Sequence, residues 1–177
     1  VEHLGEMELA ATNVIRSVST VFFVIVNSLA ATTGSLVSNL LGAGQKRQGI
    51  PLCNCVVRLG YAIGFPLVIL AVIFYRPIIG IYTESTALMQ IAHLPFVVML
   101  LNYIFALPGY VYMNSVTGTG ATRMTFIFQL ITIVAYQIYL WSISSFSTSL
   151  SVYWTAEYLY VILLGLLSVI YLKYKHY

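Results

Sequence analysis

Long apolar runs separated by short polar breaks set the pattern of this chain. Five runs match or exceed the ~20 residues that carry a helix across a bilayer. They extend from about Leu9 to Leu41, Leu52 to Tyr75, Thr86 to Val116, Met124 to Ile143 and Leu150 to Leu172. The breaks hold turn residues: Gly42, Gly44, Pro77, Gly80, Gly118, Gly120 and the serine-rich "SSFSTSLS" at 144–151. The pattern predicts an all-α fold, a polytopic bundle of about five transmembrane helices spread over residues 1–177.

Polar residues inside the runs sharpen the picture. The first run, roughly 33 residues, would span ~50 Å as a helix, well beyond the ~30 Å hydrocarbon layer, so it must tilt, bend or protrude. Along it Asn13, Thr20, Asn27 and Gly34 recur every seven residues, with Ser17, Ser28, Ser35 and Ser38 beside them. A small, polar stripe of this kind either lets helices pack closely or lines a wet cavity, and both readings exclude a lipid-facing stripe. The second run carries Gly60 and Gly64 in G-x-x-x-G spacing and then Pro66; the third carries Pro95 and Pro108 together with Asn102 and Asn114. The prolines predict a kinked third helix, because each removes a backbone donor that a neighbour or cavity water must replace.

Composition excludes a water-soluble globule. Of 177 residues, 60% are hydrophobic and 7% charged, against roughly 25% charged in ordinary soluble domains. The net charge of +3 comes from scattered residues, so nucleic acid is not a partner; the bilayer is. Cys53 and Cys55 form a lone C-x-C, which reads as two small helix residues and not as a metal site. Lys46, Arg47, Arg58, Arg123, Lys173 and Lys175 flank one side of the spans, while Arg76, Glu2, Glu6, Glu8 and Glu84 flank the other. The excess of Lys and Arg places the first side in the cytoplasm of an inner or plasma membrane, with the N-terminus outside and the C-terminus inside. Val1 opens the chain without a signal peptide, and an external N-terminus calls for a further span upstream, so the sequence reads as a piece of something longer.

Four stretches, in order, carry a family resemblance: "LGEMELAATN" at 4–13, "LVSNLLGAGQKRQ" at the exit of the first helix, "YRPIIGIYTES" at 75–85 and "GTGATR" at 118–123. Together they resemble the second half of a multidrug and toxic compound extrusion (MATE) transporter. The resemblance implies a twelve-helix exporter of two six-helix lobes, of which this chain supplies the eighth to twelfth helices. The seventh helix and the N-terminal lobe would be partners outside this sequence. It further implies a secondary active antiporter that exports amphipathic organic compounds by alternating access, with Na⁺ or H⁺ as coupling ion and no other cofactor. Gly42, Gly44, Gly118, Gly120 and Arg123 would then serve cytoplasmic turns, with no part in chemistry. Some members hold the cation with an acidic residue in the seventh or tenth helix. Residues 86–116 contain no Asp or Glu, so no ion-site residue transfers from the family.

The residues themselves offer one candidate pair. Arg16 and Glu157 are the charged residues clearly inside spans, each ~10 Å along its helix from the external end. Either both reach headgroup water, or Glu157, flanked by Trp154, Tyr158 and Tyr160, is a protonatable coupling site with Arg16 as its neighbour. Asn13, Thr20, Asn27, Asn102 and Asn114 are candidates for the cavity lining. Two other functions compete. A flippase for lipid-linked oligosaccharides of the same superfamily would need several basic residues in its cavity, where only Arg16 lies within a span. A membrane-embedded enzyme would need a nucleophile, an acid–base pair or a metal cluster, and His93, Glu157 and the two cysteines lie on different helices. A truncated remnant without function is the third alternative.

Overall fold

Serine and threonine within an apolar run do not stop a helix when their hydroxyls bond back to the preceding turn, and the first element shows this. In a computed structural model, which describes residues 6–144 and 150–175, α1 runs unbroken over Glu6–Gly42, 37 residues and about 55 Å at 1.5 Å per residue. Ser17, Thr20 and Thr32 donate their hydroxyls to the carbonyls four residues back, at 3.0, 3.0 and 2.8 Å, so these groups stay satisfied without a neighbour. After a single turn of tight helix at Lys46–Gln48, α2 covers Gly49–Ile73. A short α3, Tyr75–Gly80, replaces the loop predicted there. Then follow α4 (Thr86–Leu101), α5 (Tyr103–Gly118), α6 (Thr122–Ser144) and α7 (Leu150–Tyr174). Among the described residues five segments are long and apolar enough to cross a membrane. The 145–149 part of the predicted serine-rich connection and the acidic Glu2 lie outside the described residues.

The third span is divided between its prolines at a single residue, which keeps helical angles. Its two helices meet at Asn102, between Pro95 and Pro108. The Asn102 amide is shared between the carbonyls of Val98 at 3.2 Å and Met99 at 3.1 Å, which tightens the chain there. Pro108 explains why the distortion lies upstream of it, since a proline disturbs the turn that precedes it and leaves the carbonyl of residue i−4 without a donor. That carbonyl belongs to Ile104, and the Tyr61 hydroxyl of α2 donates to it at 2.5 Å.

The divided span sits at the centre. α5 packs on α1 and α7, α7 pairs with α6, and α2 lies against α1 and α5. Glycines set these crossings. A Cβ on Gly109 would stand 2.6 Å from the Val161 carbonyl oxygen of α7, and one on Gly34 would stand 2.9 Å from the Asn114 carbonyl oxygen of α5. The Gly60/Gly64 pair makes room for Tyr103, whose ring covers Gly64 and whose hydroxyl donates to the Gly60 carbonyl at 2.8 Å. Small residues thus bring backbones together where lipid supplies no hydrophobic drive for association.

Candidate functional site

The outward surfaces of the helices are of two kinds. Over residues 59–73 of α2 and 126–134 of α6 the exposed side chains are apolar, among them Ile69, Ile73, Phe126 and Ile131, as lipid contact requires. On α1 the exposed face carries Asn13, Arg16, Ser17, Thr20, Asn27 and Ser28. Back-bonded hydroxyls tolerate hydrocarbon, but an exposed carboxamide or guanidinium does not, because each must find several partners or pay for its desolvation. The stripe therefore packs no helix of the described bundle over Asn13, Thr20 and Asn27. Only Gly34, its last member, meets α5 closely. Close packing and an exposed polar face are both present, on different lengths of one helix.

At the Arg16 end this face borders a cavity of about 390 Å³ between α1, α6 and α7. Arg16, Gln137, Tyr136, Tyr153, Trp154 and Glu157 are among its lining residues. Glu157 accepts a hydrogen bond at 3.4 Å from the Tyr136 hydroxyl, and the Tyr136 ring meets Tyr160 edge-on at 6.3 Å. Arg16 and Glu157 line the same cavity without an ion pair within 4.0 Å among the described residues. A carboxylate in such surroundings has a hydroxyl to orient it, a cation to balance it and open volume for an ion or a proton donor. Among the described residues it is the one anionic group on this wall.

The other candidates fall in three places. Asn114 lines a second cavity of about 520 Å³ toward the other end of α1, with Gly34, Ser35, Ser38, Asn39 and Thr117. Its amide donates to the Tyr110 carbonyl at 3.0 Å. Asn102 is buried where α4 meets α5, 3% exposed, with its side-chain oxygen unpartnered among the described residues, and it lines neither cavity. Of the glycines, Gly44 and Gly120 take positive φ values of 74° and 82°, the left-handed conformation of a chain reversal. Gly42 ends α1 with open space around it, whereas Gly118, the last residue of α5, lies against Gly34 and so serves a helix crossing as well as a turn. Arg123 is exposed in the first turn of α6.

Tyr136 escapes sequence reasoning. It lies 21 positions from Glu157 on a different helix, in a chain with 14 tyrosines, and only the antiparallel pairing of α6 with α7 brings the two together. Among known families, the chain matches MatE over residues 1–141. No match was found among curated proteins or solved structures.

Proposed function

The chain belongs to the MatE family, whose members are membrane transporters and not enzymes, and on that premise we propose that it forms one wall of a cation-coupled antiporter. The cargo is a cationic or neutral amphipathic organic compound, exported by alternating access with Na⁺ or H⁺ moving inward. A second lobe faces the polar side of α1 and completes the path. One observation carries this reading: a transmembrane helix with an exposed amide- and hydroxyl-rich face runs into a cavity that holds Glu157, Arg16 and Tyr136. Only a water-filled route or a facing polar wall makes such a face tolerable at membrane depth. The anionic Glu157 favours cationic cargo and disfavours the phosphate-linked cargo of a flippase.

The experiment is transport by the protein, as the cell makes it, reconstituted in liposomes under an imposed pH or Na⁺ gradient. A lipophilic cationic dye is expected to move against its own gradient under one of the two ions, and to stop when that gradient is collapsed. Gradient-independent movement of a lipid-linked oligosaccharide, with no dye transport, would establish the flippase instead.

A further inference from the structure

Where α2 gives way to α3 and α4 begins, the bundle opens a cavity of about 660 Å³ that lies apart from the α1 face. Arg76, Thr86, Gln90 and His93 line it, together with Tyr75, Met89 and the apolar Val72 and Ile73. The short α3 is what brings them together. Tyr75, buried at the start of α3, donates its hydroxyl to the Met89 carbonyl of α4. Its ring meets His93 at 4.9 Å and Phe96 at 5.0 Å, both edge-on. Anchoring Tyr75 to α4 holds the next residue, Arg76, on the cavity wall. Burial pushes the Tyr75 phenol up from its ordinary value, so it brings no negative charge to the neighbourhood. Among the described residues the wall holds no carboxylate; Glu84, in the α3–α4 connection, is exposed and is not on it.

Position and surroundings select the ligand. Arg76 lies three residues beyond Ile73, where the second membrane-crossing segment ends, which is headgroup depth. Below it the outer side of α2 is apolar and uncovered, with Ile69 57%, Ile73 67% and Phe74 53% exposed. A guanidinium presents a planar fork of donors that matches phosphate oxygens, and the Gln90 amide, Thr86 hydroxyl and His93 ring add further donors around it. We propose that this cavity binds the phosphate of an anionic glycerophospholipid, with the acyl chains lying down the exposed apolar face of α2. A free phosphate would use the polar wall and leave the adjoining apolar surface unexplained. A lipid uses both.

Native mass spectrometry tests this on the intact protein exchanged into equimolar phosphatidylglycerol and phosphatidylcholine. Wild type is expected to retain phosphatidylglycerol about fivefold over phosphatidylcholine, the factor that one basic side chain near a membrane surface contributes. Arg76→Gln brings the ratio close to one, and Arg76→Lys keeps most of it. Arg47→Gln, at the opposite end of α2, leaves it unchanged, and excess inorganic phosphate does not displace the lipid. Equal retention by wild type, an unaltered ratio in Arg76→Gln, or an equal loss in Arg47→Gln overturns the proposal. Displacement by inorganic phosphate overturns it in favour of a free-anion site. If Arg76→Gln does not fold, Gln90→Leu and Thr86→Val carry the same expectation of a reduced ratio. None of these readouts depends on transport, so the lipid site and the antiporter reading stand or fall separately.

Discussion

Glu157→Gln is expected to flatten the pH dependence of efflux and to slow proton-driven export by about 5- to 150-fold, the range that a coupling free energy of roughly 1–3 kcal/mol spans. Glutamine keeps the size of the side chain and its acceptor for the Tyr136 hydroxyl, which reaches Glu157 at 3.4 Å, so packing in the cavity is preserved while the titratable charge is lost. The sign follows from electrostatics. Ionised Glu157 attracts a cationic cargo, and protonation from the external side removes that attraction and favours release, so wild-type export rises as external pH falls through the titration of this site. Arg16 and Tyr153 line the same cavity, and under the proposed coupling Arg16 is the nearby charge that tunes the transition. Arg16→Gln takes away a positive charge that favours the ionised carboxylate, and is expected to move the midpoint of the efflux profile to higher pH without abolishing it. Efflux rates of the three proteins across a pH series decide the matter. An unchanged rate and profile in Glu157→Gln would remove Glu157 from the coupling mechanism.

Gly34→Leu is expected to prevent a stable bundle from accumulating. The first atom of any side chain at this position would stand 2.9 Å from the Asn114 carbonyl oxygen, and Gly118 lies directly against the Gly34 backbone. Neither neighbour is a flexible side chain that can swing aside. Inserting bulk into a packed interior costs roughly 1–3 kcal/mol, and here α1 and α5 must separate along the most extensive helix contact of the fold. Gly42→Ala is the matched control, because a Cβ there meets nothing within 4 Å. Melting temperature and membrane yield of the two variants are the measurement. Equal behaviour would mean that the Gly34 crossing does not hold the bundle together.

The five membrane-crossing segments were legible because apolar run length alone specifies them, and their ends were legible because Gly44 and Gly120 stand where the chain reverses with positive φ. The short α3 was not. Its six residues are too few to show a period, and Tyr75 holds it by donating to a carbonyl 14 positions away. The division at Asn102 was displaced from the prolines that announced it, because the turn before Pro108 absorbs the distortion and the Tyr61 hydroxyl satisfies the freed Ile104 carbonyl. For the candidate site, the stripe on α1 and the pair Arg16 and Glu157 could be named from type and spacing. Tyr136 could not, nor could the cavity that Arg76 shares with His93. Both depend on which helices lie side by side, and uniformly apolar runs carry little information about that.

The central claim is that the polar face of α1 borders water within the membrane. Asn27 is exposed in the middle of α1, and Leu130 of α6 is 52% exposed among apolar neighbours. In a background free of Cys53 and Cys55, a membrane-impermeant thiol reagent should modify Asn27→Cys, with the reaction slowed by transported substrate, and should leave Leu130→Cys untouched. Protection of Asn27→Cys in both inward- and outward-facing states, or equal reaction at the two positions, would contradict the account.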